Sequence, residues 1–79
     1  MKHTYPITNT LREHRERLGL RQRDVAEQLG LDCTDRISRW EQGQTFPHVV
    51  NLFKLAAIYG VEPKDLYGEL WDMIRKTSV

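Results

Sequence analysis

The stretch QRDVAEQLGLDCTDRISRW, residues 22–40, constrains the chain more than any other. Val25, Ala26 and Leu29 recur at helical spacing up to Gly30, and Ile37 and Trp40 resume that spacing after Cys33. Two helical segments are therefore separated only by Gly30 to Cys33. That turn is too short to let them lie antiparallel with full side contact, so they must cross steeply. Ala26 is small where the two segments have to approach closely.

The remaining residues supply the core for this pair. At 79 residues and 39% hydrophobic content, the chain can build one domain around one modest core. Strand signals are absent, and the glycines punctuate helical patterns. Leu11, His14, Arg15 and Leu18 form one stripe, with Asn9 as the expected N-cap and Gly19 as the stop. The second helix is expected over Gln22–Leu29 and the third over about Thr34 to Gln42, with Gly43 as its stop. A fourth follows Pro47 and carries Val49, Leu52, Phe53, Leu55, Ala56 and Tyr59. A fifth opens at Pro63, a residue suited to a first turn, and runs through Leu66, Leu70 and Met73. Five short helices with tight connections predict an all-α bundle. Residues 1–8 are expected as a flexible tail, 9–66 as the domain holding the crossing pair, and 67–79 as a C-terminal helical extension.

Within the third helix, Ile37, Trp40 and Glu41 share one face, while Asp35, Ser38, Arg39 and Gln42 share the other. A carboxylate on a core-facing stripe is expensive unless it is paired. Arg15, on the apolar stripe of the first helix, is the matching cation, so an Arg15–Glu41 ion pair is expected.

The chain holds one cysteine, which rules out an internal disulfide. Cys33, His14 and His48 lack zinc-ligand spacing, and His3 lies in the expected tail, so no metal or cofactor is expected. Cys33 is expected to pack or to help start the third helix. Neither a glycine-rich phosphate loop nor a paired-carboxylate arrangement occurs, and the chain reads as a non-enzyme. No apolar run approaches the roughly 20 residues that span a bilayer, and MKHTYPITNT lacks the apolar stretch of a signal peptide. A cytoplasmic location away from membranes is expected. Net charge is only +1, but residues 1–39 hold eight Lys/Arg against six Asp/Glu, and residues 40–79 hold four against five. Seven of those eight cations are arginine, the side chain best suited to phosphate and guanine.

From Leu11 to about Leu66, the sequence resembles the phage repressor and Cro family, the Xre-type helix-turn-helix proteins. The resemblance is carried by Arg15, LGLRQRDVAEQLG (18–30), RISRWEQG (36–43), Pro47, LFKLAAIYGV (52–61) and the DL at 65–66. It implies a five-helix, lambda-repressor-like DNA-binding domain whose third helix enters the major groove of double-stranded DNA. It also implies that Gln22 contacts backbone phosphate and that Arg15 and Glu41 form a buried pair. The spacing from Gly30 to Ile37 is one residue longer than is usual in the family. Register is therefore anchored on Ile37, Glu41 and Gly43. Arg21 stands where the family often has a capping Ser or Thr.

On this reading Arg39 is the leading base contact, because its fork matches guanine O6 and N7. Thr34, Asp35, Ser38 and Arg36 are the other expected base contacts. Gln22, Arg23, Gln42, Gln44, Thr45 and His48 are expected to clamp phosphates. In the last helix, Leu66, Leu70 and Met73 form a docking stripe, and Tyr67, Trp71 and Ile74 form a second stripe beside it. Together they span an arc of roughly 160°, more than one docking face needs. A homodimer through Tyr67, Trp71 and Ile74, with Tyr59 or Phe53 contributing, is expected. The function implied is a sequence-specific transcriptional repressor on a palindromic operator. The alternative is an antitoxin or adaptor that holds a toxin or another regulator through the same fold.

Overall fold

A computed structural model of the chain describes residues 7–77. Six helices follow in order: α1 (Leu11–Arg17), α2 (Gln22–Leu29), α3 (Asp35–Glu41), α4 (Val49–Tyr59), α5 (Pro63–Leu66) and α6 (Gly68–Thr77). There is no strand among the described residues. The core is built from Leu11, Val25, Ala26, Leu29, Ile37, Trp40, Leu55, Ala56, Tyr59, Leu66 and Tyr67. α2 packs on both α3 and α4, and α1 closes over α3.

The turn between α2 and α3 works through Gly30, at φ 74° in the left-handed region. Its N–H donates to the Glu27 carbonyl, and the Leu31 N–H donates back to the Ala26 carbonyl at 2.9 Å. Two end carbonyls of α2 are thereby satisfied, and Leu31 is turned onto the core. At the other end of α2, the Arg21 guanidinium has no acceptor to offer a helix. Asp24 compensates: its carboxylate receives the Arg21 backbone N–H at 2.8 Å and the guanidinium at 3.0 Å. These hydrogen bonds hold the Asp24 carboxyl below the usual range.

Three expectations change here. The single fifth helix is two helices, because Thr10 takes the carbonyls that would continue it. The Thr10 N–H donates to the Leu66 carbonyl at 3.0 Å and its hydroxyl to the Asp65 carbonyl at 2.9 Å. The chain then leaves helical geometry at Tyr67 (φ −132°, ψ 53°) and restarts at Gly68. At α1, the boundary residue is Thr10, yet the side chain that receives the Leu11 N–H is that of Asn9, at 3.0 Å. Asn9 Nδ2 also donates to the Trp40 carbonyl at 2.9 Å, tying the entry of α1 to the end of α3. Leu18, past the end of α1, is exposed rather than in the core stripe. Most of the expected N-terminal tail lies outside the described residues, but Ile7 packs against the core. Its carbonyl sits 2.8 Å from where a Cβ on Gly43 would stand.

Candidate nucleic-acid interface

Trp40 and Ile37 pin one face of α3 into the core, which fixes what the opposite face presents. Asp35, Arg36, Arg39 and Gln42 are exposed there, and Ser38 is half-buried. The Glu41 carboxylate points inward with only 5% of its side chain exposed. Arg15 meets it with two donors, Nε to Oε2 at 2.6 Å and Nη2 to Oε1 at 3.1 Å. Arg15 Nη1 donates to the Leu20 carbonyl at 2.9 Å. Gln22 Nε2 adds a third bond to the carboxylate, at 3.0 Å to Oε1. The hydrogen bond to Glu41 raises the Arg15 pKa above its ordinary value, against the opposing effect of burial. The structure thus joins α1, α2 and α3 through one charged cluster, and Gln22 belongs to it.

The outer residues divide into three groups around α3. On one side, Arg36, Arg39, Thr45 and His48 surround a hollow of about 380 Å³ whose floor includes Asn51. On the other, Gln22, Ser38 and Gln42 line a cleft of about 260 Å³ together with Arg12. Arg23 and Thr34 share a third concavity at the start of α3, beside Asp32 and Cys33. Cys33 is exposed and free, so it does not pack as expected. Thr34 is the N-cap of α3, and its hydroxyl makes no capping bond. Asp35, in the first turn, is favourably placed against the positive end of the helix dipole.

Two features make this surface chemically available. Arg12, Arg15, Arg21 and Arg75 are paired with carboxylates, whereas Arg17, Arg23, Arg36 and Arg39 form no salt bridge among the described residues. Arg23, Arg36 and Arg39 therefore stand on and beside α3 outside any salt bridge, in a neighbourhood that also holds the acidic Glu27, Asp32 and Asp35. A side-chain chain also runs along the helix: Gln44 Nε2 donates to Gln42 Oε1 at 2.8 Å, and Gln42 Nε2 donates to Ser38 Oγ at 2.8 Å. Ser38 accepts in that chain, so its own hydrogen remains available to donate.

Arg12 and Asn51 were not expected at this surface. Arg12 stands three residues before Arg15, and that spacing on a helix was the available signal. Asn51 is buried, three residues after His48, with Nδ2 3.5 Å from His48 Nε2. On the far side, Tyr67 is corrected from the outer stripe to the core, at 6% exposed. The break at Tyr67 removes the continuous helical register that placed it beside Trp71. Tyr59 is likewise buried, whereas Phe53, Trp71 and Ile74 are exposed. Trp71 and Ile74 border an apolar groove of about 390 Å³ with Phe46, Leu52 and Leu70.

The comparisons with known proteins agree with this geometry. A family model described as a helix-turn-helix domain matches residues 7–69. No curated protein matches the chain. Among solved structures, the restriction-modification controller protein C.AhdI from Aeromonas hydrophila is 38% identical, with a TM-score of 0.61, over 70% of this chain and 82% of its own. A candidate DNA-binding protein from Bacteroides fragilis is 29% identical, with a TM-score of 0.67, over 75% of this chain and 94% of its own. The hypothetical transcription factor NHTF from Neisseria is 26% identical, with a TM-score of 0.66, over 86% of this chain and 77% of its own.

Proposed function

Because the chain belongs to the helix-turn-helix domain family, of the Xre type, we propose that it is a sequence-specific repressor reading a palindromic operator as a homodimer. The observation that carries the reading is the pair Arg36 and Arg39, exposed on the helix face opposite the core and without a salt bridge among the described residues. Arg39 reads a guanine through its two-pronged fork, and Arg36, Ser38, Thr34 and Asp35 complete the base-facing set. Asp35 accepts from a cytosine amino group. Arg23, Gln42, Gln44, Thr45 and His48 hold phosphates around α3, with Gln22 offering its second amide hydrogen. The relative from Aeromonas is by name a controller protein, and control of gene expression is the role proposed here.

Selection of bound fragments from random duplex DNA tests the reading. A recurrent two-fold motif is the expected result. Arg39→Ala should flatten base preference at one position of each half-site, with a cost of about 1–3 kcal/mol at the correct base. Loss of affinity that is equal on every operator variant would contradict the assignment to Arg39.

The apolar groove beside Trp71 supports a second reading, in which the chain is an antitoxin or adaptor and a protein partner covers that groove. The salt dependence of binding to mixed genomic fragments separates the two. A protein that contacts several phosphates loses affinity steeply as salt rises, and no binding at low salt would favour the adaptor.

A further inference from the structure

We propose that the cleft between α1 and the outer face of α3 seats one backbone phosphate on Arg12, and that Glu16 occupies Arg12 while no DNA is present. The inference rests on the DNA reading above. The cleft is lined by Arg12, Arg15, Gln22, Ser38, Glu41 and Gln42. Its floor carries no net charge, because Arg15 and Glu41 neutralise one another and the Arg15 guanidinium is already engaged through Nε, Nη1 and Nη2. Its walls supply neutral donors, the second amide hydrogen of Gln22 and the hydroxyl hydrogen of Ser38. Arg12 is the one lining cation that is exposed and able to turn to a new partner.

Arg12 is held by Glu16 through Nε alone, at 3.0 Å, with 70% and 55% of the two side chains exposed. An exposed pair four residues apart on a helix is weak and exchanges readily. The terminal nitrogens of Arg12 are outside that bond and can fork onto two phosphate oxygens. The occupant is a phosphodiester rather than a free anion because Ser38 and Gln42 belong both to the cleft and to the outer face of α3. DNA lying on that face brings a phosphate to the cleft. Once Arg12 turns to it, Glu16 is a negative charge beside a negative strand. Removing Glu16 and removing Arg12 should therefore have opposite effects.

Fluorescence anisotropy of a labelled mixed-sequence duplex, titrated at several potassium chloride concentrations, tests this with wild type, Arg12→Ala, Arg12→Lys and Glu16→Gln. Circular dichroism checks the fold of each variant. Arg12→Ala should flatten the slope of log K against log salt by about one, whereas Arg12→Lys keeps it. Glu16→Gln should tighten binding about two- to five-fold at low salt, the range expected for release of an exposed ion pair. A steep wild-type slope left unchanged by Arg12→Ala, or weaker binding by Glu16→Gln, overturns the phosphate seat while leaving the DNA reading intact. Absence of salt-dependent binding by the wild type overturns the DNA reading and the seat together.

Discussion

Glu41 shows how one residue couples stability to the proposed recognition surface. Its carboxylate is stripped of water and compensated by three hydrogen bonds from two other helices. Removing it strands the Arg15 guanidinium, and removal of one partner from a buried pair typically costs about 3–5 kcal/mol. Urea unfolding of Glu41→Ala should show that loss as a lower midpoint at unchanged slope. The double replacement Arg15→Met with Glu41→Leu should recover most of it, because neither charge is then left alone. Tyr59 and Tyr67 present the opposite situation, since both hydroxyls are buried without a hydrogen-bond partner among the described residues. Burial pushes both pKa values up to about 12. Between pH 10 and 12 the unfolded chain has released these protons while the folded chain retains them. Stability should therefore fall by about 1.4 kcal/mol per pH unit for each tyrosine. It is fully present below pH 10. Tyr67→Phe should halve the steepness of that alkaline loss, read by urea unfolding at pH 8 and pH 11, and should leave neutral stability equal or higher.

At the scale of elements, the helix boundaries follow from which groups satisfy the end carbonyls. Gly43 ends the α3 segment at φ 77°, and a Cβ there would stand 2.8 Å from the Ile7 carbonyl. Gly68 begins α6 with a negative φ and open space around its Cβ position. Gly43→Ala should thus lower the melting temperature, through strain and the displaced Ile7 segment. Gly68→Ala should raise stability by about 0.4–1 kcal/mol, by restricting the unfolded chain. A stabilising Gly43→Ala would show that Ile7 does not hold this position in solution.

The same boundaries explain what could be read from the chain alone. α2 was legible because Val25, Ala26 and Leu29 repeat at its period and Gly30 closes it. The partnership of Arg15 with Glu41 was legible because each charge lies on a stripe that is otherwise apolar. The break before α6 was not, because it depends on Thr10 reaching carbonyls more than fifty residues away. The misplacement of Tyr67 follows from that, since a helical wheel assumes an unbroken helix. The place of Arg12 was only partly legible: its spacing from Arg15 puts both on neighbouring positions of α1, but the cleft they line is a product of how α1, α2 and α3 meet.

The whole molecule measures 37 × 29 × 20 Å along its principal axes. One copy presents a single recognition helix, and DNA-binding dimers of this kind engage half-sites about 34 Å apart, one turn of the duplex. Two copies side by side are of the right size for that spacing, provided a surface away from α3 joins them. Trp71 and Ile74 meet the requirement: they are exposed on α6, border the apolar groove, and sit on an element that contributes no residue to the recognition surface. In the proposed homodimer, a tryptophan and an isoleucine from each copy supply apolar area at the centre of a self-complementary contact. Trp71→Asp would place a charge at that centre. Its fold should survive, because the side chain is about half exposed in the single chain. Sedimentation equilibrium should then show a dimer for wild type and a monomer for Trp71→Asp. Affinity for a two-half-site operator should fall far more than affinity for an isolated half-site. A monomer mass for both proteins, with equal operator binding, would mean that α6 covers its own domain and that the two half-sites are joined by another surface or not at all.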